Sequence, residues 1–139
     1  MEILVLDTSV LVKPLLKETG ADKVKKILFK KDTFRVSVLV PELFKYEFLN
    51  TVTRQKNALT AKKAYNLLTA KQFSLIQIEH DLMDAASRLM QKHPGISFYD
   101  ASFHALAIAY DATFVTSDKK YYTLTKKEGN IKLLDDLKI

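Results

Sequence analysis

Hydrophobic and polar positions change period several times along the chain, and each change marks an element. Residues 2–6 (EILVL) form an apolar run of the kind that suits a strand buried on both faces. Asp7, Thr8 and Ser9 then offer cap chemistry for a helix from about Val10, in which Pro14 fits only near the start. Val24, Ile27 and Leu28 mark the inner face of a lysine-rich helix over 20–31. Residues 34–40 (FRVSVLV) predict a second strand, after which Pro41 opens a helix to about Lys56. Thr60 caps another helix to about Lys71. SLIQI at 74–78 predicts a third strand, followed by a helix over 80–92. Ser97 caps a long helix over 98–110, and ATFVT at 112–116 predicts the fourth strand. A short helix near 119–127 and a last strand near 131–134 complete the pattern. Strands alternate with helices almost throughout, which predicts an α/β fold: three layers, α/β/α, with a mostly parallel central sheet.

The length of 139 residues fits one domain over 1–139. Hydrophobic residues at 47% and charged residues at 27% supply a core and exclude a disordered or fibrous chain. No apolar run approaches the roughly 20 residues of a membrane span. The start, MEILVLDTSV, lacks the basic region and cleavage site of a signal peptide. These features predict a soluble, cytoplasmic protein. The chain has no cysteine, which excludes disulfides, thiolate metal sites and a cysteine nucleophile. Its net charge of +6 favours encounters with phosphate backbones, although a solvated lysine-rich surface has the same composition. Arginine, the preferred base reader, occurs three times, so contact with a nucleic acid is expected at its backbone.

Sites in open parallel sheets form beyond the carboxyl ends of the strands. Asp7 follows strand one and Asp118 follows strand four. Asp100 lies in the first turn of the preceding helix, and Glu42 and Glu47 lie on the helix after strand two. Most of these acids have an ordinary use: Asp7 and Asp118 as helix caps, Ser97 with Asp100 as a capping pair, Glu42 as partner of a helix dipole. Glu47 fits such an account least, because it sits too deep in its predicted helix to cap and lies beside the apolar stripe, one turn beyond Leu43 and Phe44. A salt bridge to a lysine is its bland alternative. Two carboxylates ~4 Å apart repel by about 4 kcal/mol at an effective dielectric of 20, so converging acids need a cation or protons between them. All-oxygen ligation selects Mg²⁺ or Mn²⁺, and a hard cation in a basic protein points to phosphate chemistry.

Four segments, VLDTSVLVK at 5–13, PELFKYEFLN at 41–50, SFYDASFHALA at 97–107 and VTSD at 115–118, resemble in order those of PIN-domain ribonucleases, and most of all the VapC-type toxins of prokaryotic toxin–antitoxin pairs. The resemblance implies that Asp7, Glu47, Asp100 and Asp118 are a catalytic acidic quartet, and it chooses Glu47 over Glu42. Asp7, Asp100 and Asp118 would hold Mg²⁺ or Mn²⁺, with Glu47 as ligand or base. Ser9, Asn50 and Thr116 match supporting polar positions, Asn50 as the residue fixing Glu47. It further implies hydrolysis of RNA by a metal-activated water, a homodimer, and a small antitoxin protein that inserts into the acidic cleft.

Several residues admit two readings. His104 shares a helix face with Asp100 but is flanked by Phe103 and Ala105, which favours packing and hydrogen bonding over metal ligation. Lys119, Lys120, Tyr121 and Tyr122 interleave cations and aromatics as single-stranded RNA binding requires, with one tyrosine expected in the core. Phe44, Phe48 and the helix over 60–71 are either core or apolar surface for a dimer or antitoxin. A phosphoryl-accepting receiver domain would need an acidic pair after strand one, and a haloacid-type phosphatase an Asp-x-Asp there; Asp7-Thr8-Ser9 meets neither pattern. The remaining alternatives are a non-catalytic RNA-binding or protein-interaction module with this fold, and an RNA-processing PIN nuclease without an antitoxin.

Overall fold

The computed structural model describes residues 1–33, 35–70 and 73–139. The elements run β1 (Glu2–Leu6), α1 (Thr8–Leu11), α2 (Lys13–Leu16), α3 (Ala21–Asp32), β2 (Val36–Pro41), α4 (Phe44–Gln55), α5 (Ala58–Ala70), β3 (Ser74–Ile76), α6 (His80–Lys92), α7 (Phe98–Ala109), β4 (Thr113–Thr116), α8 (Lys119–Thr125) and β5 (Ile131–Leu133). Short 3₁₀ turns follow α8 and β5. The five strands form one parallel sheet in the order β3-β2-β1-β4-β5. Helices flank it in the predicted three-layer α/β/α arrangement. Among the described residues no helix is long and apolar enough to cross a membrane.

β1 lies in the centre of the sheet, and its Leu4, Val5 and Leu6 are fully buried. An apolar run without alternation is what a doubly covered strand requires. α7 packs against β1, β2 and β4 on one side and α6 on the other, and residues 101–107 are all buried. A helix wrapped on both sides is apolar all round, which explains its length of continuous burial.

Several boundaries differ from the sequence expectation. The first helix starts at Thr8 and is two single turns broken at Val12, because Pro14 has no N–H for the carbonyl four residues back. Pro41 ends β2 instead of opening a helix, and α4 begins at Phe44. The β1–β2 register stops at Val5 and Leu39, so the missing N–H of Pro41 costs no bond to β1. Asn57, not Thr60, caps α5: the Thr60 N–H donates to Asn57 Oδ1 at 2.8 Å. β3 ends at Ile76, before Gln77 and Ile78. The predicted start of strand two at Phe34 and helix end at Lys71 lie outside the described residues.

Phe44 and Phe48 are core. Their rings are 5.4 Å apart and each is 6.3 Å from Tyr65, a cluster that pins α4 to α5. The exposed apolar side chains on this pair of helices are Tyr46, Leu59 and Leu67.

Candidate functional site

The chain crosses the sheet outward from β1 to β2 and β3, then returns to the other side of β1 for β4 and β5. The β1/β4 boundary is therefore the topological switch point, where crevices open in parallel sheets. A cleft of about 450 Å³ lies there, lined by Asp7, Glu47, Asp100 and Asp118. Four separate segments of sequence bring these acids to one space. Glu42 is exposed and lies outside the cleft.

Asp7 leaves β1 at the start of α1, yet its side chain makes no capping bond. Its Oδ2 instead accepts hydrogen bonds from Ser9 Oγ and Thr116 Oγ1, each at 2.9 Å. The Asp7 N–H donates to the Val115 carbonyl at 3.0 Å and continues the β1–β4 ladder. Thr116 Oγ1 also accepts from the Asp118 N–H at 3.1 Å, so one hydroxyl ties the two strand-end acids together. Asp118 does cap its helix, with Oδ1 accepting from the Tyr121 N–H at 3.0 Å. Ser97 Oγ accepts from the Asp100 N–H at 3.1 Å, as the cap spacing predicts, and Asp100 lines the cleft as well.

Glu47 falls in the first turn of α4, because the helix begins three residues later than the sequence suggests. The argument that it is too deep to cap is thereby corrected. What distinguishes it is its direction: half-buried and facing the cleft, with Thr8 Oγ1 donating to Oε1 over a long 3.3 Å. Asn50 is exposed, lies outside the cleft lining, and makes no hydrogen bond to Glu47; Thr8 holds the place predicted for it.

Burial raises the pKa of Asp7, Glu47 and Asp100 alike, and neighbouring negative charge adds to it at Glu47 and Asp100. Desolvation raises the pKa of Asp7 above the usual carboxylate range, opposed in part by the Thr116 and Ser9 hydroxyls. Burial, and then the charge of Asp7, push Glu47 up to about 7. The same two causes in the same order push Asp100 up to about 6. Among the described residues no group of three or more His, Asp or Glu is gathered in ligand geometry. The carboxylates share a cleft without closing on one point. An all-oxygen donor set whose members repel one another is nonetheless the chemical complement of a hard divalent cation, and it fits Mg²⁺ or Mn²⁺.

Of the residues expected to bind RNA, Tyr121 is in the core, 3% exposed, with its hydroxyl 3.0 Å from His104 Nδ1. This corrects its assignment and leaves Tyr122, which is half-buried, and the exposed Lys119 and Lys120. His104 is fully buried, and its Nε2 bonds the Gly129 carbonyl at 2.7 Å; the packing and hydrogen-bonding reading holds. Thr51 and Gln55 line the cleft four and eight residues beyond Glu47, and Thr8, Lys13 and Glu18 line it from the segment after β1. The helical spacing from Glu47 was the signal for Thr51 and Gln55.

The family model for the PIN domain matches residues 4–127. No curated protein is significantly similar to the chain in sequence. Among solved structures, FitAcB from Neisseria gonorrhoeae superposes with a TM-score of 0.73 at 15% identity, covering 96% of this chain and 99% of its own. VapC20 of Mycobacterium tuberculosis, described as a sarcin-ricin loop cleaving toxin, gives 0.71 at 16% identity over 86% of this chain and 93% of its own. VapBC2 from Rickettsia felis, bound to a DNA fragment from the promoter, gives 0.70 at 19% over 94% and 96%.

Proposed function

The chain belongs to the PIN domain family, and on that premise we propose that it is a metal-dependent endoribonuclease, the toxin of a toxin–antitoxin pair. The observation that carries this reading is the convergence of Asp7, Glu47, Asp100 and Asp118 on one cleft at the switch point of the sheet. A binding module has no use for acids that raise one another's pKa.

Asp7, Asp100 and Asp118 would hold Mg²⁺ or Mn²⁺, which supplies charge to the acids and polarises the scissile phosphate. Ser9 and Thr116 orient the Asp7 carboxylate through Oδ2, as outer hydrogen bonds orient ligands elsewhere. Thr8 holds Glu47 by Oε1. Glu47 lines the cleft beside Asp7 and Asp100, and with a cation neutralising those acids its carboxylate is ionised and placed to accept a proton. It takes the proton of a water whose oxygen bonds to phosphorus, while the bond from phosphorus to the 3′-oxygen breaks. The leaving 3′-oxygen takes a proton from solvent and Glu47 returns its proton to solvent, so the products are a 5′-phosphate and a 3′-hydroxyl. The 2′-hydroxyl takes no part.

An antitoxin protein and a second copy of the chain are the expected partners. One of the similar structures, from Klebsiella pneumoniae, is a toxin–antitoxin complex by description. The exposed Tyr46, Leu59 and Leu67 offer apolar surface for one such contact.

The test is cleavage of total cellular RNA with Mn²⁺, with chelator, and by Asp7→Asn and Asp100→Asn proteins prepared identically. Discrete products that need metal and disappear in both variants, with 5′-phosphate ends, are the expected result. Metal-dependent cleavage unchanged by both substitutions would overturn the quartet mechanism. Absence of both cleavage and metal binding would favour the non-catalytic module.

A further inference from the structure

The acidic cleft shares Lys13 and Ser117 with a second, smaller cavity of about 170 Å³. The sign of the lining charge reverses across this boundary. Carboxylates dominate the cleft, whereas Lys13 and Lys119 face the second cavity against Asp135, together with Thr19 and Ser117.

Lys13 is held in place. Gly20 has a φ of 93°, in the left-handed region that favours glycine. A Cβ added there would meet Leu134 Cδ2 at 3.1 Å and Lys13 Cδ at 3.5 Å, so the stem of Lys13 runs close beside this turn. The side chain is half-buried, and its ammonium makes no hydrogen bond or ion pair among the described residues. A packed stem that carries an unpaired cation to the rim of a cavity is a positioned charge. Lys23 behaves differently: its Nζ donates to the Leu134 and Asp135 carbonyls, each at 2.9 Å, and braces the far wall of the same cavity.

The geometry points to a phosphate seat: the second cavity takes the backbone phosphate adjoining the scissile one, with Lys13 and Lys119 as its cations and the Thr19 and Ser117 hydroxyls as donors. This rests on the nuclease reading above and extends it from where the strand is cut to how it is held. A polyanion entering a cleft of carboxylates is repelled unless phosphates beside the cleft are neutralised. Lys13, on the border, serves that purpose. Lysines are point charges without the bidentate fork that reads guanine, so the seat binds the backbone irrespective of sequence.

The experiment compares two double variants. Lys13→Ala with Lys119→Ala empties the seat; Lys25→Ala with Lys26→Ala removes the same charge from exposed positions of α3. Binding of a labelled single-stranded RNA is measured by anisotropy against salt, in the Asp100→Asn background so that no cleavage occurs. The seat variant is expected to lose about tenfold in affinity, and its slope of log K against log salt to fall by roughly 0.7 to 1.4, for one or two contacts with a single strand. The α3 variant loses less than about threefold, because its lysines act only through net charge. In cleavage, the seat variant in the otherwise native protein raises KM for the RNA by about tenfold. It raises KM for bis(p-nitrophenyl) phosphate, a single phosphodiester, by less than about threefold, since that substrate has no second phosphate. Equal losses in the two double variants, or an unchanged salt slope, would overturn the seat. So would equal KM changes on both substrates, which would assign the lysines to the cleft alone. If the native protein cleaves neither substrate, the nuclease reading fails by itself, and the anisotropy result still decides whether the seat exists.

Discussion

Helix α7, and α8 with its cap, each give one side chain to the acidic cleft and another, one turn further on, to a buried polar cluster behind it. Asp100 and His104 come from α7, Tyr121 from α8 and Asp118 from its cap. In the buried cluster donors meet acceptors. His104 Nε2–H donates to the Gly129 carbonyl, which leaves Nδ1 to accept from the Tyr121 hydroxyl. Burial pushes the His104 pKa down, so the ring is held neutral in that tautomer. In the cleft, acceptors face acceptors, and burial and repulsion push Glu47 and Asp100 toward protonation. The first arrangement stabilises the fold by itself. The second opposes the fold, as functional sites commonly do.

The largest effect expected from breaking this contrast lies on the cleft side. Asp7→Asn and Asp100→Asn should each lower RNA cleavage by about 10³-fold, some 4 kcal/mol of activation free energy, with no loss of thermal stability; initial rates and melting curves on the same preparations check both halves. On the other side, His104→Ala leaves the Tyr121 hydroxyl and the Gly129 carbonyl without their partner and opens a cavity. Denaturant unfolding should show a loss of about 3 kcal/mol, while cleavage by the folded protein stays near the native rate. A His104 variant that folds normally but cannot cleave would merge the two clusters into one site.

A smaller effect sharpens the comparison through pH. The folded pKa of Glu47 is raised from 4.5 to about 7. In metal-free protein its contribution to stability is complete below the unfolded value and is lost as pH rises through about 7. Glu47→Gln removes the charge with little change of shape, and His104 titrates alike in both proteins. The melting temperature of the native protein relative to Glu47→Gln should therefore fall between pH 5 and 8.5, and Mg²⁺ should reverse the fall. A difference that stays flat would mean Glu47 is not strained. The smallest effect is at Asn50, exposed and outside the cleft: Asn50→Ala should change stability by less than about 0.5 kcal/mol and cleavage by less than about twofold, measured side by side with Thr8→Val.

What the sequence disclosed follows the same division. β1 was legible because a central strand covered on both faces must be continuously apolar, and the cap at Ser97 because its partner lies three residues away. The four acids were legible as positions after strands and on helix faces; helical spacing set Glu47 apart from Glu42, and the family resemblance chose it. The start of α4 was misread because proline suits both the end of a strand and the first turn of a helix. Thr8 took the role expected of Asn50 because helical spacing names a face without saying which segment packs against it. Tyr121 was half-read for the same reason: its pairing with His104 spans 17 residues and leaves no local pattern. Lys13 gave no signal at all, since it is one of 19 lysines, and only its stem beside Gly20 sets it apart.

The most direct measurement is the melting temperature at pH 8, in chelator and in millimolar Mn²⁺, of the native protein and of the Asp7→Asn/Asp100→Asn double variant. If the cleft is a cation site made of mutually repelling acids, Mn²⁺ raises the native melting temperature by several degrees through binding to the folded state alone. The double variant then melts at or above the native protein in chelator and does not respond to the metal. Equal responses of the two proteins to Mn²⁺, or a native protein that the metal leaves unchanged, would contradict the account.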